Sequence, residues 1–263
     1  MVPDDLAAAL GALRDRRPDL RLDVRWHAAV PSTMDVASAL ASAGAEAGVV
    51  MGTDQQTAGR GRRGRVWESP PGAGLYFSFI ARPPASANAA LPLLTLAAGV
   101  AVRHGIHAAL GLAPDLKWPN DVMVGRRKLA GILAEGLSVG TASQAVVIGV
   151  GVNLQPASYP PEVAARATSL EGELGRAVER GAVLAEVLAA LSDHLATLER
   201  TPGDILQQWR AVSPSATGAR VEWEGRSGTT AGIDDSGALL IRSSSGIERV
   251  IAGELTWPAY ARP

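Results

Sequence analysis

Lys117-Trp-Pro-Asn-Asp-Val-Met-Val-Gly-Arg-Arg-Lys-Leu-Ala-Gly-Ile-Leu-Ala-Glu135 is the stretch from which the rest of the chain can be interpreted. Its alternating segments around Gly125 predict two strands joined by a turn. It also holds Lys117 and Lys128, the only two lysines among 263 residues that otherwise use arginine as the cation. Lysine is a compact point charge, whereas arginine is a broad planar fork. Two lysines kept in one segment therefore predict a narrow binding site.

The composition limits the class of protein. Hydrophobic residues make up 47% and charged residues 19%, which is typical of a globular chain. The net charge of −1 gives no overall attraction to nucleic acid or to an anionic membrane. There is no cysteine, no signal peptide pattern and no uncharged apolar stretch of membrane-spanning length. We therefore expect a cytoplasmic protein without specific DNA binding and without a membrane segment.

The hydrophobic pattern predicts an α+β fold followed by a small β module. Helices are predicted over residues 4–17, 36–43, 91–110, 183–198 and 204–210. Strands are predicted over residues 22–26, 48–53, 75–81, 115–118, 121–124, 128–135 and 144–154. After Pro214, short strands near residues 221–223, 229–233, 238–242 and 249–251 alternate with Gly- and Ser-rich turns.

The segment from Gln55 to Trp67 is rich in glycine and arginine. Gly59, Gly61 and Gly64 spell G-x-G-x-x-G, but a dinucleotide loop must open a helix, and the Pro-Pro-Gly that follows Trp67 cannot. Two interpretations stay open: a mobile, solvated surface loop, or a loop that folds over a polyanion. Glycine N–H groups and arginine side chains both suit phosphate.

Three other patterns have a structural and a functional interpretation. Ser32 or Thr33 is by default a helix N-cap. Gly149, Gly151 and Asn153 lie on one strand face, which either packs tightly or leaves room for a ligand. His104 and His107 share a helix face without a third ligand, so we interpret them as ordinary helix residues and not as metal ligands.

The inventory of reactive groups favours the binding of anions. No Ser-His-Asp or Cys-His arrangement is available for nucleophilic attack. Lysines, arginines and a glycine loop instead suit phosphates and a carboxylate, and a loop can exclude water. This indicates nucleotidyl transfer from ATP to a carboxylate, on a fold without the G-x-x-x-x-G-K-[ST] phosphate loop.

Four blocks of sequence, in this order, resemble the biotin–protein ligases: residues 56–67, 117–121, 127–133 and 149–154. The resemblance implies a catalytic domain over residues 1–214, related to class II aminoacyl-tRNA synthetases, with a mixed β-sheet and helices on one side of it. It implies an SH3-like β-barrel over residues 215–263. The implied activity makes biotinyl-5′-AMP from biotin and MgATP and transfers biotin to one lysine of a carboxylase carrier domain.

The same resemblance implies roles for individual residues. The biotin site comprises Ser32, Thr33, Gln56, Gly59, Arg60, Lys128, Gly131 and Gly149. The ATP site comprises Arg62, Arg65, Trp67, Lys117, Asn120 and Asn153, with Trp67 beside the adenine. Lys128, Asp121 and Arg62 are the implied catalytic residues. Asp121 either orients the acceptor lysine or holds Mg²⁺, and the sequence leaves both open.

The sequence departs from the family pattern in two respects, and two other functions compete with biotin ligation. The usual Ser-Thr-Asn reads Ser32-Thr33-Met34 here, so we do not count Met34 as a polar biotin contact. The N-terminal DNA-binding domain of regulatory members is expected to be absent, which argues against a repressor. A lipoate–protein ligase is the nearer rival, but polar Ser32, Thr33 and Gln56 favour a ureido ring. We expect a monomer or a weak homodimer.

Overall fold

The computed structural model describes residues 2–139, 143–157, 159–251, 253 and 255–258. Seven strands form its main sheet: β1 Asp23–Val30, β2 Val49–Gln56, β3 Gly74–Ala81, β4 Asp115–Lys117, β5 Asp121–Val124, β6 Arg127–Val139 and β7 Ser143–Asn153. Their order is β1-β2-β3-β7-β6-β5-β4. β1 and β2 pair in parallel and the other neighbours pair antiparallel, so the predicted mixed sheet is confirmed.

Seven α-helices accompany the sheet in the described part of the chain: α1 Asp4–Arg16, α2 Thr33–Ser42, α3 Leu94–Leu110, α4 Pro161–Ala164, α5 Leu170–Leu174, α6 Arg180–Arg200 and α7 Pro202–Ala211. They cover both faces. Val50 packs in the core built with α3 and α6, whereas Val49 and Met51 pack with α2. Because alternate strand residues point to opposite faces, α2 lies across the sheet from α3. The expectation of helices on one side is therefore wrong.

Two helical segments, Ala90–Leu110 and Arg180–Arg200, are long and apolar enough by length and composition to cross a membrane. In this protein they pack against each other and against the sheet, and half or more of each apolar window is buried inside the molecule. Their composition is that of core helices.

Pro92 divides the helix that the sequence predicts over residues 91–110. A 3₁₀ segment runs over Ala85–Leu93, and α3 begins at Leu94. Proline lacks the N–H that an interior helical position needs, so the α-helix starts after it. The apolar character of α3 is as predicted, with ten of its residues buried.

A four-stranded antiparallel sheet follows, with strands β8 Thr217–Trp223, β9 Arg226–Ile233, β10 Leu239–Ser243 and β11 Gly246–Val250 in the order β11-β10-β9-β8. It fits the small C-terminal module that the sequence predicts. The indole N–H of Trp118 donates to the carbonyl of Gly237 at 3.0 Å, and Arg210 donates to the carbonyl of Ile233 at 2.9 Å. These bonds join the small sheet to the residue after β4 and to α7.

Candidate functional site

A cleft of about 220 Å³ opens on the face of the sheet that carries α2. Its lining draws on all four blocks of sequence and on the start of α2. The lining residues include Thr33, Met34, Gln56, Arg60–Arg63, Arg65–Trp67, Lys117–Asp121, Lys128, Gly131–Leu133 and Gly149–Gly151. A second depression of about 590 Å³ adjoins it and shares Arg65, Trp67, Lys117, Asp121 and Lys128. Two adjacent spaces thus meet at the lysines.

The two lysines hold one carboxylate between them. Asp121 begins β5 and Lys128 lies one turn later on β6, so the hairpin sets them side by side. The Nζ atom of Lys128 lies 2.5 Å from Oδ1 of Asp121, and that of Lys117 lies 3.4 Å from Oδ2. The side chains of Lys117 and Asp121 are only 14% and 17% exposed. The fold thus brings the two rare lysines together at one carboxylate, and their binding of a ligand there stays a prediction.

Burial and charge act in opposite directions on this triad. Burial alone raises the pKa of Asp121, but Lys128 and Lys117 more than offset it and hold the pKa below its usual value. Burial lowers the pKa of Lys117, and the neighbouring Lys128 lowers it further against the attraction of Asp121. With two cations against one anion, the site favours a further anion.

Asn153 supports the backbone around Lys128. Its amide donates to the carbonyl of Thr168 at 2.9 Å and to that of Lys128 at 3.4 Å, and its oxygen accepts from Tyr159. The Lys128 N–H also donates to the Arg166 carbonyl at 2.7 Å. Asn153 is 4% exposed. Its side chain is thus engaged within the protein, although it borders the second depression where the sequence predicts a nucleotide contact.

Glycines form the floor of the cleft. Gly131 and Gly151 are directly paired across β6 and β7, and a Cβ on either would lie within 3 Å of the Trp67 ring. Trp67 therefore lies on this glycine pair, and the Nζ atom of Lys128 lies 5.3 Å from the centre of its indole ring. A Cβ on Gly149 would meet the sulfur of Met34 at 2.6 Å. Met34 is buried, and its side chain supplies an apolar wall of the cleft.

One end of the cleft carries a connected polar network. The oxygen of the Gln56 amide accepts from the backbone N–H of Thr33 at 2.9 Å and from its hydroxyl at 3.2 Å. The Gln56 amide nitrogen donates to Ser69, and Ser78 donates to the Thr33 hydroxyl. Sequence reasoning missed Ser69 and Ser78, because their place in this network depends on β3 and on a distant loop.

Ser32 stands at the N-cap of α2 but makes no capping bond. Its hydroxyl is buried and has no hydrogen-bond partner among the described residues. The same holds for the indole nitrogen of Trp67. A buried polar atom without a partner is costly, so both atoms are candidates for contact with a ligand.

The glycine–arginine loop is a short hairpin with a 3₁₀ turn over Arg62–Gly64, and the strand β3 follows it instead of a helix. The exclusion of a dinucleotide loop is confirmed. Gly59 allows close packing in addition to backbone flexibility, because a Cβ there would lie 2.3 Å from the Trp67 carbonyl oxygen. The Arg62 guanidinium reaches the Asn120 side chain at 3.4 Å, and burial lowers the pKa of Arg62.

The described residues fit a protein-bound Mg²⁺ poorly. Both oxygens of Asp121 are engaged by ammonium groups, and the Asn120 oxygen accepts from Arg62. No group of three or more His, Cys, Asp or Glu that could hold a metal occurs in the described part of the chain. A hard cation needs free oxygen ligands. Asp121 is therefore a partner of the two lysines in this structure and a poor metal ligand.

Residues of the C-terminal segment complete the cleft. Leu255 and Trp257 line both spaces, and the Nζ atom of Lys117 lies 5.7 Å from the centre of the Trp257 ring. The backbone of Thr256 pairs with that of Glu222 on β8. Sequence reasoning missed these residues, because nothing in a short C-terminal segment indicates that it returns to the main sheet.

Comparison with known proteins gives matches along most of the chain. Residues 26–153 match the Biotin/lipoate A/B protein ligase family, and residues 226–255 match the Biotin protein ligase C terminal domain. A biotin–[acetyl-CoA-carboxylase] ligase of Paracoccus denitrificans is 38% identical over 212 residues, which is 76% of this chain and 87% of that one. The bifunctional ligase/repressor BirA of Bacillus subtilis is 35% identical over 242 residues, covering 88% of this chain and 72% of the relative.

The solved structures agree. The biotin protein ligase of Aquifex aeolicus in complex with biotin and ATP superposes with a TM-score of 0.76 at 28% identity, over 89% of this chain and 97% of that one. The Leishmania major enzyme in complex with biotinyl-5-AMP gives a TM-score of 0.61 at 26% identity, over 88% of this chain and 99% of that one.

Proposed function

The chain belongs to the biotin protein ligase family, and on that premise we propose that its cleft converts biotin and ATP to biotinyl-5′-AMP and then biotinylates a lysine of a carboxylase carrier domain. The observation that carries the proposal is the Lys117–Asp121–Lys128 triad at the meeting point of two spaces. One space has a polar end and a glycine floor, which suits biotin. The other suits the nucleotide.

Biotin lies in the slot between α2 and the β6–β7 floor in this proposal. The ureido ring meets Ser32, Thr33 and Gln56, where a hydroxyl without a protein partner and a connected amide network are available. The acyl chain runs over Gly131 and Gly149 toward Lys128. Met34 supplies only apolar contact there.

The adenylation step is an in-line displacement at the α-phosphorus. A biotin carboxylate oxygen forms a bond to phosphorus, and the bond to the pyrophosphate oxygen breaks. Lys128 lies between the two spaces and offsets charge on the carboxylate and the α-phosphate. Lys117, Arg62, Arg65 and Asn120 hold the nucleotide, and Trp67 flanks both ligands. Such preorganised donors stabilise the charge that develops in the transition state.

Transfer follows on the same adenylate. The neutral amine of the carrier lysine attacks the biotinyl carbonyl carbon, and a C–N bond forms. The bond from that carbon to the phosphate oxygen breaks, AMP leaves, and the nitrogen gives up one proton to the solvent. Asp121 stays ionised because the two lysines lower its pKa. When the anionic ligand binds the lysine ammonium groups, a carboxylate oxygen of Asp121 becomes available to orient the incoming amine. The carrier in this proposal is a carboxylase domain that presents the acceptor lysine to the cleft.

The test compares two acids with one protein. Purified protein is incubated with MgATP and either biotin or lipoate, and pyrophosphate exchange into ATP is measured. A biotinyl or lipoyl carrier domain is then added, and its intact mass is recorded. We expect exchange and a mass increase with biotin only. Exchange with lipoate and not with biotin would reject the proposal in favour of a lipoate ligase.

A further inference from the structure

Arg60 connects the two elements that form the walls of the cleft. Its guanidinium donates to Asp35 at 2.6 Å and to Glu135 at 2.6 Å. Asp35 lies in the first turn of α2, and Glu135 lies on β6 beyond the glycine floor. One arginine of the loop thus reaches both sides of the slot at once.

The backbone of the loop is closed at the same place. Arg60 pairs with Val66 as an antiparallel bridge, and the Trp67 N–H donates to the Gly59 carbonyl at 3.0 Å. The Gly61 N–H donates to the Arg65 carbonyl at 2.7 Å. The stem is therefore ordered around Arg60, while the tip from Arg63 to Val66 is exposed.

We propose that Asp35 and Glu135 are positioning residues, which act through Arg60 to hold the loop closed over the cleft. The proposal rests on the proposed function, in which Arg62 and Arg65 of the loop hold the nucleotide part of the adenylate. It assigns Arg60 to the walls of the cleft instead of to the ligand, and it leaves contact with phosphate to Arg62 and Arg65.

The alternative, in which Arg60 binds the ligand directly, predicts the opposite change in the rate of adenylate release. If Arg60 binds the carboxylate or phosphate directly, then Asp35 and Glu135 compete with the ligand for it. Removing their charges would release Arg60 to the ligand and slow the escape of the adenylate. If the two carboxylates position the loop, removing their charges frees the stem and speeds that escape.

The test uses the double variant Asp35→Asn, Glu135→Gln. A single turnover with biotin and MgATP is run first, and the release of biotinyl-AMP is then followed by trapping in solution. We expect an adenylation rate within twofold of the parent and release about tenfold faster, which corresponds to about 1.4 kcal/mol. The charge-conserving variant Asp35→Glu should release the adenylate more slowly than Asp35→Asn does. A purely steric role predicts the reverse order, because Asn has the size of Asp and Glu is one methylene longer.

A second readout does not depend on biotin chemistry. Trypsin cleaves after arginine, so the initial rate of cleavage after Arg62, Arg63 and Arg65 in the ligand-free protein reports how open the loop is. We expect the double variant to be cut several times faster than the parent. If the parent makes no biotinyl-AMP, the proposed function fails, and the cleavage rates still decide the role of Asp35 and Glu135.

The matched control is the double variant Asp19→Asn, Asp193→Asn. Arg17 also joins two carboxylates, at 2.8 and 2.9 Å, and none of these three residues lines the cleft. This control variant should leave adenylate release and loop cleavage unchanged. Release from the Asp35, Glu135 variant that is equal to or slower than that of the parent, with unchanged cleavage of the loop, would overturn the proposal.

Discussion

At the scale of single residues, Lys128 is fixed from both ends. Its ammonium group meets Asp121 at 2.5 Å beside the Trp67 ring, and its backbone is bonded to Arg166 and Thr168. A lysine held in this way presents its charge at one point. That point lies where the two spaces of the cleft meet.

Lys128→Arg should therefore abolish adenylation even though the charge is kept. The planar guanidinium is wider than an ammonium group and cannot occupy the same place between Asp121 and Trp67. Loss of one preorganised donor of this kind costs roughly a hundredfold or more in kcat. Single-turnover formation of biotinyl-AMP measures it. Arg127→Lys, the reverse change at an exposed neighbour paired with Glu173, is the control and should behave like the parent.

The scarcity of lysine was enough to predict that Lys117 and Lys128 share a site. The sequence could not predict the partners of Asn153 or of Arg60, because these lie on segments distant in the chain. A motif shows which residue types are retained. It does not show whether a side chain points to a ligand or to the protein that supports the ligand site.

At the scale of elements, the strands β6 and β7 form a smooth floor only where glycines face the cleft. The alternation of Gly149 and Gly151 predicted this face, and the structure adds Gly131 as the cross-strand partner of Gly151. The sequence left open whether the absent side chains serve packing or a ligand. Both interpretations apply. Met34 and Trp67 fill part of the space above these glycines, and the rest of that space belongs to the cleft.

Gly131→Ala should impair ligand binding much more than Gly136→Ala on the same strand. A Cβ at Gly131 would lie 2.8 Å from the Trp67 ring and 3.1 Å from the Lys128 ammonium, whereas at Gly136 nothing lies within 4 Å. We expect an increase in KM for biotin of about tenfold or more for Gly131→Ala, from overpacking of about 1–3 kcal/mol. Steady-state kinetics of both variants measure it, and equal KM values would contradict the proposed floor.

A contact between two histidines and a glutamine joins α3, α6 and α7, and it predicts that stability depends on pH. Nδ1 of His104 lies 3.0 Å from Nε2 of His194. The Gln208 side-chain oxygen lies 3.1 Å from the same nitrogen of His194, and Nδ1 of His194 donates to the Ala190 carbonyl. Burial, followed by the charges of His194, Arg103 and His107, lowers the pKa of His104 to about 4. The folded protein therefore keeps His104 neutral where the unfolded chain, with a pKa near 6.5, binds a proton.

The free energy of unfolding should consequently fall as the pH drops from about 6.5 to about 4, by at most roughly 3 kcal/mol from this group. His104→Asn should flatten that part of the profile. Urea denaturation at several pH values measures the slope, and His107→Asn, at an exposed position of the same helix, is the control. A profile that His104→Asn leaves as steep as the parent's would show that other groups cause the loss.

At the scale of the whole molecule, the small C-terminal sheet completes the cleft. Trp118, next to Lys117, is bonded to Gly237, and the segment paired with β8 brings Leu255 and Trp257 to the cleft. The four blocks of sequence predicted the larger part of the molecule, and the short strands after Pro214 predicted the small sheet. Their contact could not be predicted, because it depends on how two folded surfaces match.

Gly237→Ala should weaken this contact and, through it, the nucleotide site. The φ angle of Gly237 is +80°, and a Cβ there would lie 2.7 Å from Leu93 and 3.0 Å from Leu96, both of which are buried. Gly225→Ala is the matched control, since its φ is +74° and nothing lies within 4 Å of its Cβ. Both variants carry a backbone strain of about 1 kcal/mol, but only Gly237→Ala adds overpacking of about 1–3 kcal/mol.

We therefore expect Gly237→Ala to lower Tm several degrees further than Gly225→Ala does. It should also raise KM for ATP, because Trp257 then no longer lies beside Lys117, while KM for biotin changes little. Thermal unfolding and steady-state kinetics with each substrate measure both effects. If the two variants lose the same stability and keep the same KM for ATP, then the small sheet is attached to the cleft without contributing to it.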